Sequence, residues 1–517
     1  MEQNNFNPKA KSRSKMTIIN SASGILSKFV ILAANFAIRT IFIYYLGIEY
    51  TGVSAVFSNI LTILSFAELG IGSAITFALY KPIEQNDYRQ LAKLMAFYRK
   101  AYFIIGSTVF AVGICLTPFL KFLIKDVPDV KENITVIYLL YIFNTAFSYF
   151  FVYKSTLFTA DQKNYCISIV RVCCVIAKTI VQYIVIALFR AFYIYLIIDI
   201  AFTVIQNIII SIWADKSFAN ISLYKNESLS KKEKSTLFKN IKALSMYKIS
   251  ATVLSGTDNI IMSVMLGVST VGYVSNYTLI INELYSILLQ FFQSLTASIG
   301  NLVASAKKDS QYPLFKTIYF GGSWLFCLCT VLLYTLIDEF VGSVWLGEKY
   351  LIEPLAVIFL CLDFYVKCIV TIVNSFREAN GLFVQGQYRP IIMSILNIVI
   401  SIISVKMIGL PGVFLGTIAS RLLTQVWYDP YIVYKYAFKQ SPVKFFFHYA
   451  VWLAILAVSI VLSLFINSKI TISVPILSFI VHAIVSFAVT NIIVLACFIK
   501  TNTFRNTFDR VLSIIRK

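Results

Sequence analysis

Thirteen charged side chains fall inside long apolar runs of this chain: Lys28, Arg39, Lys154, Arg171, Lys178, Lys248, Lys367 and Arg421, with Glu68, Asp199, Asp258, Glu283 and Asp363. At the centre of a bilayer-spanning helix each costs about 2.5–3.5 kcal/mol on insertion scales, so each should face a bundle interior or a wet cavity. The basic groups outnumber the acidic ones, most heavily in the first half. Such a cavity attracts a phosphate or another anionic amphiphile rather than an organic cation. Arg171 and Lys178 are seven apart and share a helix face with Gln182, and Asp363, Lys367, Thr371 and Asn374 form a second polar stripe. Asp363 and Lys367 could equally neutralise one another as an i,i+4 pair. Lys28 and Lys248 have the alternative of snorkelling to the nearer surface.

Other chemistries find no support. There is no Walker motif, HExxH or GxSxG. The nine cysteines lie in apolar runs with no metal-ligand spacing to His448 or His482, and read as small buried hydrophobes. No cofactor or metal is called for, and the expectation is a protein that is not an enzyme.

The elements that must position these charges are helices. The 517 residues are 58% hydrophobic and 13% charged, with a mean hydropathy of +0.78. Apolar runs of about 20 residues recur nearly end to end, the length that crosses a bilayer, and backbone groups in lipid must be paired within each helix. The chain reads as an all-α polytopic membrane protein of about fourteen spans, near 17–45, 53–80, 97–120, 134–159, 167–189, 191–214, 244–266, 273–303, 317–337, 353–376, 388–408, 411–434, 445–467 and 472–499. With the N-terminus inside, the cytoplasmic segments hold 30 Lys and Arg and the outer loops 7, a bias that puts both termini in the cytoplasm. The net charge of +21 is therefore read as basic loops against anionic membrane lipid, not as a nucleic-acid surface. The basic N-terminus (residues 1–16) lacks a following cleavage site and is read as retained. The outer loops are too short for a catalytic domain.

The spans are duplicated. Gly47 and Gly52 recur as Gly267 and Gly272, an offset of 220 residues, and Ser155 recurs as Ser375 at the same offset. Spans one to six (17–214) and seven to twelve (244–434) form two six-helix lobes joined by the polar cytoplasmic linker 215–243. An even number of spans per lobe implies a pseudo-two-fold along the membrane normal. The last two spans (445–499) and the cytoplasmic tail (500–517) lie outside the duplication. Measured from the glycine turns at 1.5 Å per residue, Arg39 and Asp258 are each about 12–13 Å deep and Glu68 about 24 Å deep. Glu68 opens Glu68-Leu69-Gly70-Ile71-Gly72-Ser73-Ala74, where small residues permit close helix approach.

The runs YLGIEYTGVSAVFSNILTILSFAELGIGSAITFALYKPI and SGTDNIIMSVMLGVSTVGYVSNYTLIINEL resemble the Wzx-type O-antigen and capsule exporters of the MOP superfamily, relatives of lipid II flippases and MATE drug exporters. The resemblance extends over nearly the whole chain. It implies a carrier in the bacterial cytoplasmic membrane that moves an undecaprenyl-diphosphate-linked oligosaccharide between leaflets. Two lobes would alternate access to a central cavity whose cations engage the diphosphate, and the positions that fit that role are Arg39, Lys154, Arg171, Lys178, Lys367 and Arg421. The resemblance likewise implies proton or sodium coupling, for which Asp258, Glu283, Glu68 and Asp363 are the candidate carboxylates, and a glycan polymerase and glycosyltransferases as partners. A lipid II flippase for peptidoglycan precursors and a MATE-like drug exporter are the alternatives.

Overall fold

The computed structural model describes residues 8–68, 71–124, 130–224, 227–304, 311–382, 384–386 and 388–515. Leu69 and Gly70, the loop cations Lys125, Lys225, Lys307, Lys308, Arg516 and Lys517, and the side chain of Lys248 lie outside what is described. The described residues contain helices and no strand. In chain order the helices are α1 (Pro8–Tyr45), α2 (Ile48–Leu64), α3 (Ile71–Glu84), α4 (Tyr88–Leu116), α5 (Leu120–Leu123), α6 (Ile134–Val152), α7 (Ser155–Ala160), α8 (Asn164–Phe189), α9 (Phe192–Ser217), α10 (Lys231–Leu266), α11 (Val268–Ala304), α12 (Gln311–Glu339), α13 (Pro354–Ala379), α14 (Arg389–Ile408), α15 (Leu410–Leu423), α16 (Gln425–Ile432), α17 (Val443–Asn467), α18 (Pro475–Phe498) and α19 (Asn502–Ile515).

Among the described residues, ten helices are long and apolar enough to cross a membrane, and the chain is a polytopic α-helical membrane protein. The other four expected spans, 53–80, 244–266, 273–303 and 411–434, fall on α2/α3, α10, α11 and α15/α16; the first and last are interrupted, and α10 and α11 are only partly covered by the described side chains. Three interruptions coincide with charges. A 3₁₀ turn, Ser65–Glu68, follows α2. Tyr153 and Lys154 separate α6 from α7. Thr424 (φ −127°, ψ −69°) separates α15 from α16, three residues after Arg421.

Two compact units divide the chain, Met1–Gly272 and Tyr273–Lys517. In the first, α1 lies along α8, α6 packs on α4 and α9, and α10 packs on α2 and α3. The two turns singled out by the 220-residue repeat have matching backbones: Gly47 at φ 104°, ψ 172° and Gly267 at φ 96°, ψ 160°. Only glycine adopts this region readily. Within the first unit these turns also touch reciprocally. A Cβ on Gly52 would overlap the Val268 carbonyl, and one on Gly272 would sit 2.7 Å from the Ile48 carbonyl. Val268 is Ile48 plus 220, as Gly272 is Gly52 plus 220, so the contact itself repeats the sequence symmetry. Further along, a Cβ on Gly256 would sit 3.0 Å from the Ile63 side chain, so α10 runs antiparallel to α2. The start of α10 is fixed by a Ser230/Glu233 capping box. Hydrogen bonds from Ser230, with one from Gln90 of α4, hold the Glu233 carboxyl down at about 2. That contribution is complete above the ordinary carboxylate range and fades as pH falls toward 2.

In the second unit α14 and α15 form a close hairpin, α12 packs on α13, α17 and α18, and α13 packs on α15 and α16. Gly412 and Gly416, one turn apart on α15, leave no room for a Cβ against Ser404 and Ser401 of α14. This is the small-xxx-small packing that lets apolar helices approach in lipid.

Gly52→Ala should force the α2 backbone away from the first turn of α11 and destabilise the folded chain by about 1–3 kcal/mol. Gly321→Ala, whose new methyl meets only Thr507 at 3.7 Å, should be close to neutral. Melting of both variants in detergent, followed by fluorescence-detected size exclusion, checks this; equal melting temperatures would refute the close-approach argument.

Candidate functional site

The intramembrane charges gather into a cluster in each unit. In the first unit Lys178 of α8 pairs with Asp199 of α9 at 2.7 Å, and Asn144 of α6 donates to the other Asp199 oxygen at 2.9 Å. Arg39 of α1 lies beside Tyr141 of α6 and Tyr195 of α9, and both tyrosines lie beside Asp199. Gln182, one turn beyond Lys178, donates to the Tyr195 carbonyl at 3.3 Å. The expected stripe on α8 is thus half realised. Lys178 and Gln182 enter the cluster, while Arg171 is exposed and stays outside it.

In the second unit Arg421 of α15 pairs with Asp363 of α13 at 2.6 Å. Lys367 places its ammonium 3.8 Å from the centroid of the Tyr285 ring of α11, and the Tyr285 hydroxyl lies 3.1 Å from Thr371. Asp363 therefore turns to Arg421 on another helix and not to Lys367 one turn along its own. Each cluster combines two cations with one carboxylate: Arg39 and Lys178 with Asp199, Lys367 and Arg421 with Asp363. The second cluster, Lys367 and Arg421 with Asp363, sums to one positive charge, and in both clusters helices from several parts of the chain converge.

Of the other expected residues, Lys154 and Glu68 make their contacts apart from these clusters. Lys154 reaches Asp215 at 2.5 Å, at the end of α9, where Asp215 is exposed. Asp258 is half-buried on α10, two residues from the Gly256 contact with Ile63. Glu283 is half-buried on α11 in the second unit. Glu68 accepts a hydrogen bond from Tyr102 of α4 at 2.7 Å and faces a separate cavity of about 670 Å³.

Several functional groups escaped the sequence reading. Arg377 and Arg389, counted as loop cations, are buried, and both hold Asp429 of α16, at 2.8 and 2.6 Å. Asp429 is fully buried, and its partners lie 52 and 40 residues earlier, so no local pattern announces it. Burial corrects the loop assignment of both arginines. His482, which showed no role in sequence, pairs with Glu339 at 2.8 Å, and Ser478 donates to the same carboxylate. Asn144 had a faint signal, three residues after Tyr141 in an otherwise apolar run.

No family model matches the chain, and no curated protein matches it. Solved structures do. The lipid II flippase MurJ in an inward closed conformation superposes with a TM-score of 0.66 at 15% identity, covering 93% of this chain and 99% of that one. An inward-facing multidrug resistance MATE family transporter of the MOP superfamily gives 0.58 at 14% identity, covering 78% and 98%. The Vibrio cholerae MATE transporter VcmN in its bent form gives 0.52 at 14% identity, covering 82% and 98%. The chain has the fold of these flippases and transporters.

Asp429→Asn leaves two buried guanidinium groups without their carboxylate, a loss of about 3–5 kcal/mol. Asp363→Asn acts at a partly hydrated pair and should cost clearly less. Thermal melts of the two purified variants rank them; Asp429→Asn melting no lower than Asp363→Asn would contradict a structural role for the triad.

Proposed function

We propose that this chain is a flippase that moves an undecaprenyl-diphosphate-linked oligosaccharide across the bacterial cytoplasmic membrane by alternating access, coupled to a proton or sodium gradient. The observation that carries the reading is the repeated cluster of two cations with one carboxylate, once in each unit. A diphosphate offers several acceptor oxygens and two or more negative charges. Guanidinium and ammonium groups held among helices bind it strongly because little water screens them.

In this reading the Arg39 and Lys178 cluster of the first unit and the Lys367 and Arg421 cluster of the second are each a candidate site for the diphosphate, and Lys154 and Arg171 attract the headgroup. Asp258, Glu283 and Asp363 are the carboxylates proposed for ion coupling, with Glu68 reconsidered below. The arrangement proposed is two six-helix lobes, 17–214 and 244–434, with both termini cytoplasmic, working beside glycosyltransferases and a glycan polymerase. A net positive cluster is a poor host for a cationic drug, which counts against the MATE-like alternative. The lipid II alternative draws support from the MurJ likeness, which covers 93% of this chain against 78% and 82% for the two MATE structures cited. O-antigen and capsule precursors share with lipid II the polyprenyl diphosphate that these cations would grip.

Arg39→Ala should cut surface glycan at least about tenfold, the scale of one lost charge-assisted hydrogen bond, while membrane levels of the chain stay unchanged. Lipid-linked repeat units should accumulate in the same cells. Quantifying both in a strain that relies on this chain tests the reading, and normal surface glycan with Arg39→Ala would overturn it.

A further inference from the structure

The cavity beside Glu68 differs chemically from both cationic clusters. It lies wholly within the first unit, among α3, α4 and the α6/α7 break, and its volume of about 670 Å³ falls within the range of small-ligand sites, about 300–1,000 Å³. Glu68 is the one charged side chain among the described residues that line it.

Its hydroxyls are oriented by bonds made elsewhere. Thr76 donates to the Gly72 carbonyl at 2.8 Å, Ser155 to that of Val152 at 2.7 Å, and Thr156 to that of Tyr153 at 2.5 Å. Thr159 donates to the Asn164 side chain at 2.9 Å, and Tyr102 donates to Glu68 itself. A hydroxyl has one hydrogen and two lone pairs. With the hydrogens committed, these groups present acceptor oxygens around a carboxylate. Phe77 and Tyr80 add ring surface at the rim, 71% and 46% exposed.

A cavity lined by these acceptors, with a carboxylate as its one charge among the described lining residues, repels phosphate. It suits a group that only donates, and a protonated amine has three N–H donors and no acceptor. The aromatic rings add attraction for the same cation. We propose that the Glu68 cavity binds a protonated amine carried on a hydroxyl-rich ligand, with Glu68 as counter-ion and the Thr76, Ser155, Thr156 and Thr159 oxygens as acceptors. Under the flippase reading the ligand is an amine-bearing sugar of the translocated glycan. That identification of the source rests on the flippase reading; the amine site does not.

The test is equilibrium binding to the purified full chain in detergent, with D-glucosamine, N-acetyl-D-glucosamine and tetramethylammonium as probes. Glucosamine should bind at least about tenfold more tightly than its N-acetyl form, which keeps the ring and loses the charge, the scale of one hydrogen bond to a charged group. Glu68→Gln should abolish that difference. Equal binding of the two sugars to the wild-type chain overturns the proposal without recourse to any variant, as does a difference that survives Glu68→Gln. Tetramethylammonium, which carries the charge but no N–H, binding as tightly as glucosamine would overturn the assignment to a protonated amine. Because binding is read apart from export, a failed glycan-export experiment and a failed amine site are distinguishable.

Discussion

The reciprocal contact of Gly52 with Val268 and of Gly272 with Ile48 is the constraint on which the first unit depends. Two backbones meet there with no side chain between them, a distance that apolar helices in lipid reach only through small residues. The contact fixes the register of α2 against the first turn of α11, and the Gly256–Ile63 contact continues the packing of α2 along α10. That register sets the position of Asp258 on α10 relative to α2. Because Gly47 ends α1 and starts α2, the same turn sets how far along the bundle Arg39 and Glu68 stand. A one-residue slip would rotate each charge by about 100° on its helix, enough to aim it away from its partners.

The charges that follow from this frame separate by degree of satisfaction. Arg377, Asp429 and Arg389 are nearly sealed from solvent, and a cluster that dry ties α13, α14 and α16 together. Lys178 with Asp199 and Arg421 with Asp363 are more open, 14–28% exposed, which suits the proposed role of exchanging a ligand. The Glu68 cavity is a third environment, acceptor-rich where the clusters are cationic. A lipid-linked glycan has both kinds of group to offer, phosphate at one end and sugar substituents at the other.

The architecture was legible in the sequence wherever it depended on local pattern. Apolar run length located the helices, and the 220-residue offset of the glycines located two turns that share one backbone conformation. The three interrupted spans were read as continuous, since breaks at Glu68, Lys154 and Thr424 depend on packing that no run length records. Residues within spans were legible as costly, which singled out Arg39, Lys178, Lys367, Arg421 and Asp363. Their partners were not. Asp363 chose Arg421, 58 residues away, over Lys367 four residues away, and Asp429 drew two arginines from other helices. Local spacing gives a preference of a few tenths of a kcal/mol, and tertiary placement in a low-dielectric interior exceeds it readily.

The most direct measurement of the central claim is transbilayer movement in proteoliposomes holding the purified chain and a fluorescent polyprenyl-diphosphate oligosaccharide. Chemical quenching of the outer leaflet should reach well beyond half of the label when the chain is present, and should stop at half in protein-free vesicles. Quenching that stops at half with the chain present, in vesicles where the same chain exports ethidium down an imposed ion gradient, would contradict the flippase account.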